Sequence, residues 1–430
     1  MKKRILGFML VLGLGLAALF PTPAFASVCT PAKQLASKNI KNLHMEVLNA
    51  ETGQQLLGIN ESGAERSASV MKLLTAAVAI DVLGPDYQIT TSVYGDPQNP
   101  GKIYLVGAGD VTLSRMPGNI TSFYAKAPKL DTLTRQIASW ARLSGTVITE
   151  VSIDSSLYGG NADYHETWDR RGLSQGYMAP VSALQIDAGR ITSTQNPNRW
   201  LAKRTTKPVD QAGALFLASL NKRNIAVGVE VIQEVLPEGS IAIASVQSRP
   251  MSEWISNMLR VSDNSLAEAM ARKSSLALGF DGSMESLTQT FAQVLGARGL
   301  DVSKLSIIDA SGLSRLNKVP AEFVNDLLIL INHGVDNYSV IEAGMPVSGK
   351  SGSLRTRFAT GSKASTRGLV VAKTGFIRTG YTLAGFLTAR DGTELIFTVY
   401  NLSPRATFNN RQAMDNLVYR LFQCGAKLSL

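Results

Sequence analysis

Three stretches of the chain differ in how their apolar positions recur. Near the start, His44-Met45-Glu46-Val47-Leu48-Asn49 and Gln55-Leu56-Leu57-Gly58-Ile59-Asn60 read as strands around Glu51-Thr52-Gly53, a hairpin turn. Val70, Leu73, Leu74, Ala77, Val78 and Val82 then recur three and four apart, predicting a helix that Gly84-Pro85 stops. Near the end, Leu369–Ala372, Tyr381–Leu387 and Glu394–Tyr400 are strand-like runs separated by glycine-containing turns, and Phe408–Phe422 has helical periodicity. Neither group of strands has a sheet of its own. One mixed sheet built from both ends and faced by helices satisfies both.

The middle reads differently. From Gln88 to Ser245 strand-like runs dominate: Thr90–Tyr94, Lys102–Val106, Val147–Ile153, Ile225–Glu234 and Ser240–Ala244, with one helical run at Leu130–Leu143. This predicts one or two strand-rich domains inserted at 89–245 between two halves, 27–88 and 246–430, of a single unit. From Met251 onward helices return, at Trp254–Arg260, Ser265–Ser274, Ser283–Arg298 and Pro320–Asn332. No internal repeat is visible.

Composition changes this picture only at the edges. With 430 residues, 45% of them hydrophobic and 18% charged, the chain is long and apolar enough for a multidomain core and is not globally disordered. Residues 1–26 have the form of a signal peptide: basic Lys2-Lys3-Arg4, an uncharged stretch from Ile5 to Phe20 that is short for a bilayer span, and Ala24-Phe25-Ala26 as a cleavage site. A retained N-terminal anchor is the alternative. After cleavage no membrane span remains, and export to the periplasm or another extracytoplasmic wall space is expected. The formal charge of +10 includes those three basic residues, which leaves about +7 for the rest. Such a balance suits an anionic wall or membrane surface, or merely spare surface lysines; no basic stripe with interleaved aromatics points to nucleic acid. Cys29 and Cys424 stand near opposite ends, and in an exported chain they either pair or remain two free thiols.

The chemistry is limited by what is scarce. The three histidines, His44, His165 and His333, lie beside no serine or cysteine motif, which disfavours a Ser-His-Asp triad. No ligand spacing suggests a metal and no loop has P-loop form, so no cofactor is expected. A serine can instead be activated by lysine. Ser69-Val70-Met71-Lys72 puts both side chains on one helix face, with helix-start amides favouring negative charge near Ser69. Lys72 serves as a base only if burial or a neighbouring cation lowers its pKa. Alone, the pair equally fits a helix cap followed by a surface lysine. Two further segments add weight: Ser262-Asp263-Asn264 before a helical run, and Lys373-Thr374-Gly375 at the end of a strand. Together the three make up the S-x-x-K, S-D-N and K-T-G set of serine β-lactamases and penicillin-binding proteins.

With these motifs the sequence resembles penicillin-binding proteins of the D-alanyl-D-alanine carboxypeptidase/endopeptidase type, the low-molecular-mass class with a large insertion (class C). The 193-residue separation of Ser69 and Ser262 favours it over class A β-lactamases. Gly107–Leu113, Ile153–Ser156, Asp309–Arg315 and Met345–Gly349 are similar to family segments as well. The resemblance implies an α+β, β-lactamase/transpeptidase-like domain, an antiparallel sheet flanked by helices. It implies Ser69 as nucleophile, Lys72 as base, Ser262 and Lys373 as proton relay, and Asn264 as a peptide anchor. Thr374 and Lys373 would face the substrate carboxylate, with Gly375 letting the backbone approach and the amides of Ser69 and Phe376 forming the oxyanion site. Arg315 resembles a position lining the pocket for the substrate's side-chain end, or is a structural arginine in a tight loop. The implied partners are peptidoglycan stem peptides, with β-lactams as covalent inhibitors.

Three positions depart from the family pattern. Phe376 stands where a threonine or serine is usual, so a hydroxyl for the substrate carboxylate is lost and endopeptidase or weak activity gains weight. Val111 replaces a proline. An acidic residue expected from the insertion is either Asp169 or, in another alignment, replaced by Gly172. The competing readings are a serine β-lactamase, for which no E-x-x-L-N stretch is present, and a non-catalytic wall-binding scaffold with a decayed site, which only Phe376 favours.

Overall fold

The computed structural model describes residues 28–159, 162–192, 202–226 and 228–429; the expected signal peptide lies outside them. The ten strands among these residues are β1 (Asn42–Asn49), β2 (Gln55–Ile59), β3 (Thr90–Gly95), β4 (Lys102–Val106), β5 (Glu150–Asp154), β6 (Val231–Gln233), β7 (Ile241–Gln247), β8 (Val370–Ile377), β9 (Gly380–Thr388) and β10 (Glu394–Leu402). They form two sheets, ordered β2-β1-β10-β9-β8 and β6-β5-β4-β3-β7.

The first sheet joins both ends of the chain and is antiparallel throughout, not mixed. Its strands read as continuous apolar runs because both faces are covered. On one face Met45, Val47, Leu383 and Phe397 pack with Met414, Leu417 and Leu421 of the helix Phe408–Cys424. On the other, Leu48, Ala384, Ile396 and Tyr400 join the helices Met71–Leu83, Met251–Val261, Asn264–Ala277, Leu287–Ala297 and Ala321–Asn332. The helix Met71–Leu83 is central to that layer: every residue from Met71 to Ile80 is buried, Lys72 included. Cys29 and Cys424 are disulfide-bonded, and the Cys29 amide donates to the Lys427 carbonyl at 2.9 Å, so the two ends are tied together.

The second sheet is mixed: β3 pairs antiparallel with β4 and β7, while β4–β5 and β5–β6 are parallel. Parallel neighbours need crossovers. The helices Leu130–Ser144 and Pro208–Asn221 provide them, packing Leu133, Ile137, Ala212 and Phe216 against Ile103, Leu105, Val151 and Ile153. Pro208–Asn221 is a helix beyond the one expected in this strand-rich stretch, and the strand expected at 225–234 is the shorter Val231–Gln233 among the described residues. Among the described residues no helix is long and apolar enough to cross a membrane.

Candidate active site

The serine at 69 sits in a one-turn helix, Ala68–Val70, directly before Met71–Leu83. Other segments press on this turn. Ala68 has φ +47°, and a Cβ at Gly312 would stand 1.9 Å from the Ala68 carbonyl oxygen. A Cβ at Gly375 would lie 2.9 Å from the Ser69 amide nitrogen and 2.1 Å from Thr382 Oγ1. Thr382 in turn donates to the Ser67 carbonyl at 2.8 Å. Two glycines are therefore what allow β8 and the 309–315 loop to close on the half-buried Ser69.

The three motifs converge. Lys72, fully buried, has its Nζ 3.1 Å from Ser69 Oγ, 2.7 Å from Asn264 Oδ1 and 2.5 Å from the Ser311 carbonyl oxygen. Burial pulls its pKa down to about 8, against the opposing pull of Asp309, Glu268 and Asp263. Lys373, equally buried, donates to Ser262 Oγ at 2.9 Å and to its neighbour's carbonyl, Thr374 O, at 2.8 Å. Burial first, and the Lys72 cation second, hold its pKa well below the usual lysine range.

Local structure explains how Ser262 and Asn264 reach these lysines. Ser262 terminates Met251–Val261 in the left-handed region, φ +60° and ψ 46°. A non-glycine residue there costs about 1 kcal/mol, so surrounding contacts must hold it. Asp263 caps the next helix by accepting from the Leu266 amide at 3.1 Å. Asn264, the first residue of that helix, gives its carbonyl oxygen to Lys72 and its amide to the Tyr177 carbonyl at 3.1 Å.

Of the remaining expected positions, Thr374 shares a 2.6 Å hydroxyl contact with Ser353, and Phe376 is 53% exposed with its ring 4.7 Å from that of Tyr381. Arg315 is exposed and has no ion-pair or hydrogen-bond partner among the described residues. Asp169 is also exposed, gripped by both Nε and Nη2 of Arg171, while a Cβ at Gly172 would meet Tyr164 Oη at 2.6 Å.

The sequence reading missed the scaffold behind Lys72. Asp309 accepts from the Gly312 and Ser314 amides, both at 2.6 Å, from Trp168 Nε1 at 2.7 Å and from Asn317 Nδ2 at 3.0 Å. This folds the loop so that the Ser311 carbonyl meets Lys72. The Ser311 amide donates to Glu268 Oε1 at 2.9 Å. Burial, with Asp309 adding to it, raises Glu268 to about 7. The Asp/Ser/Gly-rich run at 309–314 signalled a tight turn; that its backbone would serve the amine was not written in side-chain identities.

The chain matches the D-Ala-D-Ala carboxypeptidase 3 (S13) family over residues 32–201 and 197–421. It is 32% identical over 415 residues to carboxypeptidase DacB of Mycolicibacterium smegmatis, covering 94% of this chain and 86% of that one. It is 27% identical over 419 residues to the D-alanyl-D-alanine carboxypeptidase of Actinomadura sp. strain R39, covering 83% and 76%. In fold it is similar to penicillin-binding protein 4 from Haemophilus influenzae, with a TM-score of 0.75 at 19% identity over 91% of this chain and 99% of that one.

Proposed function

Because this chain belongs to the D-Ala-D-Ala carboxypeptidase 3 (S13) family, we propose that its converged serine and lysines perform that family's chemistry. It is a serine-type, penicillin-binding D-alanyl-D-alanine carboxypeptidase with an α+β, transpeptidase-like fold. We read residues 27–88 and 246–430 as its catalytic unit and 89–245 as an insertion, a division that the two separate sheets support. The signal-like residues 1–26 support export, so that the enzyme works on peptidoglycan outside the cytoplasm.

The observation that carries the mechanism is the set of partners around Lys72. A neutral amine has two N–H groups and one lone pair. Asn264 Oδ1 at 2.7 Å and the Ser311 carbonyl at 2.5 Å take the two donors, which leaves the lone pair for the Ser69 hydroxyl at 3.1 Å. Ser69 then attacks the carbonyl between two D-alanines as its proton passes to Lys72. The oxyanion forms between the Ser69 and Phe376 amides, a site that requires β8 to approach as closely as Gly375 allows. Ser262, bonded to Lys373, relays a proton to the leaving amine. The C–N bond breaks, D-alanine leaves, and water hydrolyses the ester. A β-lactam acylates the same oxygen.

Phe376 offers no hydroxyl to a terminal carboxylate, and this tilts the reading towards cross-link cleavage alongside removal of terminal D-alanine. Mass spectrometry of products from purified stem pentapeptides and cross-linked dimers tests this. Loss of one alanine and conversion of dimers to monomers are expected; unchanged masses for both substrates would refute it. Arg315, exposed and without a partner among the described residues, is read as the partner of a carboxylate at the side-chain end of a diaminopimelate residue. Arg315→Ala should raise KM about tenfold for peptides with that free end, the order of one charge-assisted hydrogen bond, and leave simple D-Ala-D-Ala peptides unaffected. Equal losses on both would assign Arg315 to loop structure instead.

A further inference from the structure

Asp263 takes no part in the proposed proton transfers, yet it is the most heavily held residue of its turn. Its Oδ1 caps the following helix through the Leu266 amide, and its Oδ2 accepts from Tyr124 Oη at 3.0 Å, with Arg190 Nη2 at 3.8 Å. Neither partner lies on the helices flanking Ser262, although Tyr124 packs into the same buried core as those helices. Tyr124 lies between β4 and the helix Leu130–Ser144, and Arg190 between β5 and the helix Pro208–Asn221. Both are buried, 4% and 1% exposed. The Arg190 guanidinium lies 3.3 Å from the Phe123 ring centroid, and its Nη1 donates to the Asp187 carbonyl at 2.9 Å and to Tyr124 Oη at 3.4 Å.

Two further atoms of Arg190, Nε and Nη2, are buried without a hydrogen bond among the described residues. A desolvated guanidinium in that condition is costly unless a nearby anion compensates it. Among the described residues, Arg190 forms its ion pair with Asp263. Burial and the same carboxylate push the Tyr124 phenol upward, which keeps it a donor.

We propose that Tyr124 and Arg190 are positioning residues: from the inserted stretch they clamp Asp263, and so hold Ser262 in the left-handed conformation that presents its hydroxyl to Lys373. The insertion is on this view a working part of the active site. Asn264 supports this, because its side-chain amide is likewise bound by the inserted stretch, at the Tyr177 carbonyl. The proposal rests on Ser262 acting as the proton relay.

A double-mutant cycle on the full exported chain separates the two claims. Acylation by a fluorescent penicillin is timed for wild type, Tyr124→Phe, Ser262→Ala and the double variant, with kcat and KM measured on a D-Ala-D-Ala peptide. Tyr124→Phe removes one oxygen and keeps the ring. It should slow acylation about tenfold, the range for a hydrogen bond to a charged group, lowering kcat while KM stays within about twofold. In the Ser262→Ala background the same change should have no further effect. Wild-type acylation by Tyr124→Phe, or losses that multiply in the double variant, would overturn the clamp. Should Tyr124→Phe not melt cooperatively, Arg190→Lys in the same cycle decides by the same criteria. Wild-type acylation by Ser262→Ala would instead remove the premise, the relay role of Ser262 itself.

Discussion

Lys72→Ala is expected to fold and to be acylated about a thousandfold more slowly than wild type, the middle of the range for loss of a general base. The size follows from geometry: Lys72 Nζ is the amine within hydrogen-bond reach of Ser69 Oγ, whereas Lys373 is bonded to Ser262. The sign of the pH dependence follows from burial. The amine works only when neutral, so wild-type acylation should fall as the pH drops through about 8, and Lys72→Ala should lose that limb. Stability should survive the change. Below pH 8 the wild type holds a desolvated ammonium, a cost that grows as the pH falls from the unfolded lysine value towards the folded one. The variant escapes it, which offsets the space left by the side chain. Stopped-flow acylation across pH 6–10, with a thermal melt of each protein, checks both; a variant that acylates at the wild-type rate would remove Lys72 as the base.

Gly375→Ala should be nearly as damaging for a different reason. The added methyl would fall 2.1 Å from Thr382 Oγ1, 2.9 Å from the Ser69 amide nitrogen and 3.0 Å from Ala68 Cβ. β8 must then move away from the nucleophile turn, and the amide pair proposed for the oxyanion separates. Loss of one oxyanion donor commonly costs a hundredfold or more, so we expect acylation to fall by about 10²–10³, with KM for peptides changing much less. Single-turnover acylation and steady-state kinetics read the two effects separately. A Gly375→Ala enzyme with wild-type turnover would show that β8 needs no such close approach.

These two residues were readable before any coordinates, and the reason is local. Lys72 follows Ser69 by one helical turn, and a Lys-Thr-Gly run beside an apolar strand puts a glycine where backbone must pass close to another segment, although the strand does not end before the run as expected but continues through it to Ile377. Ser262 and Asn264 were readable for the same reason, as a short polar turn opening a helix. What stayed hidden is non-local. Nothing in the identities of Tyr124, Arg190 or Glu268 says that they meet Asp263 or Ser311, more than 40 residues away in sequence, since side-chain contacts across a core follow from packing rather than spacing. The helix Pro208–Asn221 was faint for another reason. Pro208 and Asp210 are proper helix-start signals and Val209, Ala212, Phe216 and Leu220 keep helical spacing, but Ala212-Gly213-Ala214 lowers the apolar contrast on which such a pattern depends. The all-antiparallel first sheet was not decided by periodicity either. Continuous apolar strands mark burial on both faces without fixing strand direction, and here helices cover both sides of an antiparallel sheet.

Peptide mapping after brief exposure to benzylpenicillin tests the central claim most directly. We predict one penicilloyl adduct per chain, carried on the fragment containing Ser69 and absent from Ser69→Ala. No adduct on folded wild-type protein, or an adduct that persists in Ser69→Ala, would contradict the assignment of Ser69 as nucleophile.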